Sequence, residues 1–167
     1  EWEMSIRQRT GSGSDCQCCS GRVVVPSNCL STTHPELAKQ WDYEKNRDLS
    51  PMDITASATI RLHWKCDQGP DHEWDSLLSS RVRGCGCPCC SGKKVVPSNS
   101  LNSTHPELVK EWDIERNQIT PLEVTAGSGK KVWWKCDRGD DHVWDSTVAN
   151  RVSGNGCPVC ANKKITD

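Results

Sequence analysis

The 167-residue chain repeats itself at an interval of about 70 residues, and this periodicity constrains its fold more than any other feature. Residues 132–160 match residues 62–90 at a constant offset of 70, and residues 101–117 match residues 30–46 at an offset of 71. The pattern predicts a tandem array of similar small units.

The repeat predicts three units with unequal completeness. They are the C-terminal part of a truncated unit over residues 1–29, a complete unit over 30–100, and a second complete unit over 101–167 that includes the start of a following one. Capping repeats are usually polar and atypical, whereas these end units are cut within the pattern. We therefore expect the chain to be a segment of a longer repeat protein.

Composition argues against a single large apolar core. Only 34% of the residues are hydrophobic, whereas the chain holds 12 Cys and 8 Trp. No apolar run approaches the roughly 20 residues that a membrane span needs. Small units held together by cysteine, through disulfides or through metal sites, remain as the expectation.

The spacing of cysteine and histidine predicts structural zinc. Each complete unit carries Cys-x5-His, then fourteen residues, then a Cys-Pro-x-Cys segment that we call the knuckle. The two predicted ligand sets are Cys66, His72, Cys87 and Cys90, and Cys136, His142, Cys157 and Cys160. Four protein ligands complete the tetrahedron that zinc favours and leave no open position for catalysis. We therefore expect two Zn²⁺ ions that stabilise the fold, and a protein that is not an enzyme.

Three other interpretations of these cysteines are weaker. A disulfide framework leaves the repeated histidine unexplained. A thioredoxin-like redox motif at Cys157–Cys160 lacks a surrounding βαβ pattern. A zinc deaminase needs His-x-Glu, but Glu73 follows His72 directly.

The remaining cysteines receive separate predictions. Cys16 and Cys19 align with Cys87 and Cys90, and they would form half of a third zinc site whose other ligands lie upstream. Four cysteines are predicted as non-ligands because they are not expected to recur in the repeat: Cys18, Cys29, Cys85 and Cys89. Because zinc-binding thiolates persist under reducing conditions, we expect an intracellular compartment such as the cytosol, the nucleus or an organelle matrix.

Strand and turn signals place the first two ligands of each site on a β-hairpin. Residues 132–136 and 142–147 are rich in β-formers and flank an Asp-Arg-Gly-Asp-Asp turn. A further short strand is predicted over residues 93–96. Turns with an acidic residue three positions later are predicted to start at Ser50 and Thr120.

Capping signals predict one helix in each unit. Thr104 and Glu107 fit a capping box around Pro106, and the helix is expected to run to about Trp112. The first unit repeats this pattern over residues 33–41.

The repeated tryptophans have two interpretations, as base-stacking residues or as a core between helix and hairpin. We favour the core for Trp41, Trp64 and Trp74, because the unit otherwise lacks large apolar side chains. Trp133 differs, since its counterpart is His63. It neighbours a core tryptophan in the strand and would point to the opposite face, so we expect it to be exposed.

The full pattern resembles the probable zinc-ribbon repeat family, whose members are treble-clef-like zinc fingers. The resemblance rests on Ser/Thr-x-His-Pro-Glu-Leu-x3-Trp-Asp, on Trp-Lys-Cys and His-x-Trp-Asp, and on Arg-Val-x-Gly-x-Gly-Cys-Pro-x-Cys. It covers essentially the whole chain, although Cys66 and His72 enclose a longer turn than the family's usual one. It implies small α+β zinc modules in tandem, each a β-hairpin between zinc knuckles with one short packed helix. It also implies non-catalytic modules that are sometimes attached to nuclease-like domains.

Charge allows only local contacts with nucleic acid. The formal net charge is −1, and two zinc sites with three thiolates each add −1 apiece, which gives −3. Strong duplex binders usually carry a basic excess instead. Basic clusters and one aromatic residue give the candidate contact residues: Arg81, Arg83, Lys93, Lys94, Lys130, Lys131, Trp133 and Arg151. The alternative is a solvated surface that balances the thiolate charge.

These observations favour a segment that acts in macromolecular recognition, with nucleic acid as its partner, such as RNA, a ribonucleoprotein or a transcription assembly. A protein–protein scaffold in a large complex is the first alternative, and it predicts salt-tolerant binding through exposed apolar residues such as Trp133. A targeting appendage of a nuclease is the weaker alternative. We expect no membrane span and no small-molecule substrate.

Overall fold

The computed structural model describes residues 16–163, which divide into two compact units. Within that range the units comprise, in order, residues 16–67 with 73–86, and residues 68–72 with 87–163. Two parts of the predicted end units, residues 1–15 and 164–167, lie outside the described residues. The predicted boundaries after residues 29 and 100 stay predictions.

Both units are built from short elements. The first contains α1 (Leu30–Thr33), α2 (Pro35–Ala38), α3 (Tyr43–Asn46), β1 (Arg61–Lys65), β2 (Glu73–Leu77) and α4 (Leu78–Val82). The second contains α5 (Leu101–Thr104), α6 (Pro106–Val109), β3 (Lys131–Lys135), β4 (Val143–Thr147) and α7 (Val148–Val152), with 3-10 helices at Pro97–Asn99 and Pro121–Glu123. Such short elements are unstable alone, so tertiary packing must stabilise them. No helix in the described part of the chain is long and apolar enough to cross a membrane.

The predicted hairpins are confirmed in both units. β3 and β4 pair antiparallel, with Trp134 opposite Trp144. Val132 and Trp134 are buried, whereas the residues between and beside them are exposed, as expected for a strand with one covered face. β1 and β2 repeat this register, with Trp64 opposite Trp74.

Tryptophans form the core of each unit, as predicted. Trp134 is fully buried and meets Trp112 edge to face, with ring centroids 5.3 Å apart. Trp64 and Trp41 repeat this contact at 5.7 Å. Aliphatic residues surround the rings of the second unit: Leu101, Leu108, Val124, Val132 and Val148. Edge-to-face pairs add about 0.5–1.5 kcal/mol beyond their buried area, so these rings compensate for a composition poor in aliphatic residues.

The predicted helix start at Thr104 is wrong. Thr104 instead ends α5, where its hydroxyl donates to the Ser100 carbonyl oxygen at 2.8 Å. His105 is the N-cap of α6, with φ of −141° and ψ of 63°. Pro106 disfavours helical geometry in the residue before it, so the predicted single helix becomes two short ones. α6 then ends at Val109, before the predicted end at Trp112, and the first unit has the same break between α1 and α2.

The predicted strand over residues 93–96 is also wrong. This segment is a loop, and the Asn99 side chain forms hydrogen bonds with its backbone. The Asn99 amide donates to the carbonyl oxygens of Cys89 and Lys94, at 2.9 Å each. Its own carbonyl oxygen accepts a backbone N–H within the loop at 2.9 Å. Asn28 holds the equivalent loop of the first unit in the same way.

Candidate metal centres

In the second unit, one nitrogen and three sulfur atoms converge. The ligand atoms of Cys136, His142, Cys157 and Cys160 all lie within 4.8 Å of one another. Cys160 Sγ is 3.7 Å from Cys136 Sγ and 3.3 Å from His142 Nδ1. Cys157 Sγ is 3.7 Å from the same nitrogen. His142 therefore presents its Nδ1 atom to the sulfurs.

These separations fit the edges of a zinc tetrahedron. Zn–S bonds of about 2.3 Å and Zn–N bonds of about 2.0–2.1 Å give sulfur–nitrogen edges of about 3.6 Å and sulfur–sulfur edges of about 3.8 Å. The observed distances run from 3.3 to 3.7 Å. Three thiolates and an imidazole also suit zinc better than calcium or magnesium, which prefer oxygen ligands. The cluster is therefore suited to a closed structural zinc site.

The turn of the β3–β4 hairpin positions two of these ligands. Cys136 directly follows β3 and His142 directly precedes β4, and the Cys136 N–H donates to the His142 carbonyl oxygen at 3.0 Å. Gly139 lies against the imidazole, because a Cβ atom there would be 2.9 Å from His142 Cδ2 and 3.1 Å from Nε2. Gly69 lies against His72 in the same way. The turn thus needs a residue without a side chain where it faces the ring.

The knuckle positions the other two sulfurs through backbone contacts that recur at all three Cys-x-x-Cys segments. The N–H four residues after the first cysteine donates to that cysteine's carbonyl oxygen, at 2.9 Å from Ser20, 3.2 Å from Ser91 and 3.2 Å from Ala161. The turn ends in a left-handed residue, with φ of 73° at Gly21, 70° at Gly92 and 53° at Asn162. Gly and Asn are the residue types that tolerate this conformation.

The other complete ligand set converges in the same manner. Cys66, His72, Cys87 and Cys90 also place their ligand atoms within 4.8 Å of one another. Cys87 Sγ and Cys90 Sγ lie 3.8 and 3.4 Å from His72 Nδ1. The two clusters confirm the prediction of two zinc sites.

Cys16 and Cys19 are consistent with the predicted third half-site. Their backbone forms the same knuckle turn as the one before Gly92. Within residues 16–163, no third group of three or more metal-ligating side chains converges.

The cysteines predicted as non-ligands join neither cluster. Cys29 is buried, and its thiol lies 3.4 Å from the Pro26 carbonyl oxygen. Burial raises the pKa of the Cys89 thiol to about 11, so this thiol is protonated at neutral pH. Cys18 and Cys89 do correspond, contrary to the prediction that neither recurs, because both occupy the third position of a Cys-x-x-Cys segment.

A comparison with known families matches this geometry. A family model described as a probable treble clef zinc finger domain matches residues 37–93 and 108–163. The chain belongs to this treble clef zinc finger family. Each match contains one complete ligand set, so the family model and the side-chain geometry independently identify two zinc modules.

A curated protein is also similar to this treble clef chain. It is named zinc finger protein-like 1 homolog, from Caenorhabditis briggsae, and it is 29% identical over an alignment of 121 residues. The alignment covers 61% of this chain and 37% of that protein, so the chain spans little more than a third of the relative's length. The relative's name agrees with the assignment of zinc fingers.

Arg81, predicted to contact phosphate, holds the core of the first treble clef unit instead. It is buried, and its guanidinium carbon lies 5.0 Å from the Trp64 ring centroid and 5.2 Å from that of Trp74. It donates to the Gln40 side chain and to the Cys85 carbonyl oxygen. The prediction of a surface role is therefore corrected, because this side chain is enclosed by its own unit.

Arg151 requires the same correction in the second unit. Its guanidinium carbon lies 5.8 Å from the Trp134 ring centroid. Its Nη2 and Nε atoms donate to Glu111 Oε2 at 2.6 and 3.2 Å, and only 11% of the side chain is exposed. An arginine held by a carboxylate and a ring is positioned to stabilise the unit rather than to contact phosphate.

The other predicted contact residues lie on the described surface: Arg83, Lys93, Lys94, Lys130, Lys131 and Trp133. Lys131 forms an ion pair with Asp145 across the hairpin. Lys93 and Lys130 line one open cavity of about 670 Å³ beside the knuckle.

Asn46 and Asn117 have structural roles that were not predicted from the sequence. The Asn117 side-chain amide donates to the Trp133 carbonyl oxygen and accepts a hydrogen bond from the Trp133 N–H, at 2.8 Å each. Asn46 does the same for His63. The two asparagines recur at an offset of 71, which was the available signal.

Proposed function

We propose that this chain is a non-catalytic recognition segment that binds nucleic acid through basic side chains beside its second zinc knuckle. Its partner would be RNA, a ribonucleoprotein or a transcription assembly. The absence of catalysis belongs to the proposal, because a zinc ion held by four protein ligands offers no position to a substrate. A reducing compartment belongs to it as well, because the ligands are thiolates.

The observation that carries this proposal is the cavity shared by Lys93 and Lys130. These residues are distant in sequence, yet both line a cavity of about 670 Å³ together with the Gly127–Gly129 turn. Two exposed lysines that line one open groove suit a phosphodiester. Glu123 also lines the cavity, and the hydrogen bonds it accepts from Thr120 lower the pKa of its carboxyl, so this anion offsets one of the two lysine charges.

The first unit offers a smaller equivalent groove, and the reason is local. Its cavity is about 270 Å³ and includes Ser57, where the second unit has Gly127. The Ser57 hydroxyl contacts Thr55 Oγ1 at 2.9 Å and occupies the space beside Gly21, whereas a Cβ atom at Gly127 would meet nothing within 4 Å. The proposal therefore assigns the stronger phosphate contact to the second unit.

The test is the salt dependence of binding to a fluorescein-labelled single-stranded RNA of about 12 nucleotides, a length within the range of known single-strand sites. Fluorescence anisotropy of the zinc-loaded chain would be compared between about 50 and 200 mM salt. The double substitution Lys93→Glu with Lys130→Glu should weaken binding tenfold or more and reduce the salt slope by about 1–2.

The control variant reverses the charge of a single lysine that does not line the cavity. Lys39→Glu reverses an exposed lysine that pairs with Glu36 on a helix of the first unit, so it should leave affinity nearly unchanged at half the charge change. Equal affinity for the double variant and this control would contradict the proposal.

A protein–protein scaffold remains a second candidate because of exposed apolar side chains at equivalent positions. Tyr43 and Ile114 are 63% and 82% exposed, and Met52 and Leu122 are 64% and 56% exposed. Large apolar side chains that recur on a repeated surface suit a protein partner. Under this candidate, Ile114→Asp with Leu122→Asp would abolish a salt-tolerant complex, while the lysine substitutions would not.

A further inference from the structure

The outer face of the β3–β4 hairpin carries a basic–aromatic–basic row. Lys131, Trp133 and Lys135 alternate with buried residues and therefore point to the same exposed face. Trp133 is 40% exposed, whereas Trp134 beside it is fully buried. None of these three residues lines the cavity that Lys93 and Lys130 share.

Trp133 is displayed on a rigid backbone. Its N–H and carbonyl oxygen are both held by the Asn117 side chain at 2.8 Å, and the carbonyl oxygen also accepts the Asp113 N–H at 3.2 Å. These bonds close the edge of the strand, which otherwise would offer its backbone to another chain. An exposed indole on a fixed backbone loses little conformational entropy when it contacts a ligand.

The same display recurs in the first unit with another ring. The Asn46 amide donates to the His63 carbonyl oxygen at 2.8 Å and accepts the His63 N–H at 2.9 Å. Arg61 and Lys65 occupy the flanking positions on that face. Each unit thus presents one planar side chain between two cationic ones on an asparagine-braced strand.

From this arrangement we propose that Trp133 is a base-stacking residue, and that the outer face of β3–β4 binds single-stranded nucleic acid with an unpaired base on the indole. This inference rests on the proposed function and names its substrate class. An aromatic platform takes any base through its π-face, while the bases of a duplex are covered by their neighbours. Lys131 and Lys135 then lie on either side of the base, where the flanking phosphates would be.

The rings of the two faces differ, and this makes the second unit the stronger platform, because the indole of Trp133 is a larger aromatic surface than the imidazole of His63. In the first unit, Lys65 Nζ lies 3.5 Å from Glu73, and Arg61 Nη1 lies 2.5 Å from Asp75. In the second unit, Val143 replaces Glu73 on β4, and Lys135 Nζ instead lies 3.1 Å from Asp140 Oδ1 in the turn, while Lys131 pairs with Asp145. Each outer face therefore carries two cations with a carboxylate beside each of them, and Trp133 in place of His63 distinguishes the second.

The experiment uses the zinc-loaded 167-residue chain and the same labelled single-stranded RNA, together with that RNA annealed to its complement. Trp133→Ala and Trp133→Leu should each weaken single-strand binding tenfold or more, because stacking is lost in both. Trp133→Phe keeps an aromatic face and should stay within about threefold of the unsubstituted chain. The duplex should bind at least tenfold more weakly than the single strand.

Val143→Glu supplies a variant that leaves the indole in place. It adds the carboxylate that the first unit carries at this position, and it should weaken single-strand binding about threefold or more. Zinc content and far-ultraviolet circular dichroism of every variant establish that the second unit remains folded. Because position 133 is exposed, its substitutions should change neither measurement.

The outcomes separate this inference from the proposed function. Single-strand binding that is lost with Lys93→Glu and Lys130→Glu, but unchanged in Trp133→Ala, would overturn the stacking residue and leave the function standing. Duplex binding equal to single-strand binding would overturn the substrate class. Absence of binding to either RNA would overturn both. A protein complex that tolerates Trp133→Leu and fails with Trp133→Ala would assign this face to a protein partner.

Discussion

Each ligating histidine has a glycine against its ring, and this contact is the residue-scale detail on which the zinc geometry depends. In the second unit, Gly139 leaves room for the imidazole of His142, and a methyl group would come within 2.9 Å of the ring. Contacts that orient a metal-ligating side chain commonly contribute 10- to 100-fold to metal affinity.

Gly139→Ala should therefore weaken zinc binding at this site by about tenfold or more. Competition with a chromophoric chelator on the reduced chain would measure the change. Gly127→Ala is the control, since a Cβ atom there meets nothing within 4 Å. Unchanged zinc affinity in Gly139→Ala would show that the ring can shift without losing the metal.

Arg151 is the second residue-scale case, because its surroundings assign it to stability. Arg151→Met removes the guanidinium from Trp134 and leaves Glu111 without its ion pair. The site is partly exposed, so we expect a loss of about 1–3 kcal/mol in the unfolding free energy, below the cost of breaking a fully buried pair. Urea denaturation of the zinc-loaded chain would measure it.

Arg83→Met is the matched control for this prediction, because Arg83 is exposed. It should leave the urea midpoint unchanged. If Arg151→Met instead kept full stability and weakened RNA binding, Arg151 would return to the predicted contact surface.

At the scale of elements, the turns that follow Trp41 and Trp112 are each held by one aspartate, Asp42 and Asp113. Asp113 accepts the N–H groups of Glu115 and Arg116 at 3.1 Å each, and Arg116 Nη1 donates to it at 2.6 Å. Burial alone would raise the pKa of Asp113, but the hydrogen bonds from Arg116 and the backbone lower it more. The folded-state pKa lies below its ordinary value, so the stabilisation is complete at neutral pH and is lost as the pH falls through that folded-state value.

Asp113→Ala should lower the unfolding free energy at pH 7 by about 1–2 kcal/mol, the usual cost of removing a cap. Asp113→Asn keeps an acceptor for the backbone N–H groups and loses the charge, so its effect should be smaller. Urea denaturation in the presence of zinc would rank the two, with the exposed Asp48→Ala as the control. An equal loss in both Asp113 variants would mean that the charge, rather than the cap, stabilises the turn.

At the scale of the whole molecule, zinc substitutes for the large core that the composition does not provide. The second unit packs its hairpin, its short helices and its knuckle around a few rings and four ligands. Metal binding that exists only in the folded state contributes its free energy to folding.

Complete removal of zinc by a chelator, with thiols kept reduced, should therefore unfold both units. Far-ultraviolet circular dichroism and limited proteolysis would follow the loss, and metal analysis of the untreated chain should find two tightly held Zn²⁺ ions. Lowering the pH should have the same effect, because protons compete with zinc for the thiolates. A native circular dichroism spectrum and protease resistance after complete zinc loss would contradict this account.

Local spacing by itself determined both ligand sets, both hairpins and the tryptophan core of this protein. Zinc coordination requires donors at set positions around a turn, and alternation along a strand assigns Trp134 to the inside and Trp133 to the outside. Both constraints act between residues close in sequence, so the repeat displays them twice. The helix start at Thr104 was mispredicted because the conformational restriction from Pro106 prevailed over a good capping box.

Tertiary structure alone decided the roles of Arg81, Arg151 and Asn117. A long polar side chain is read from sequence as a surface group, but its burial depends on which distant groups fold around it. Gln40 meets Arg81 and Glu111 meets Arg151 only because each helix segment is brought against its hairpin. Asn117 similarly reaches Trp133, which lies 16 residues further along the chain. These pairings depend on long-range packing, which is the physical reason that the spacing of neighbours did not reveal them.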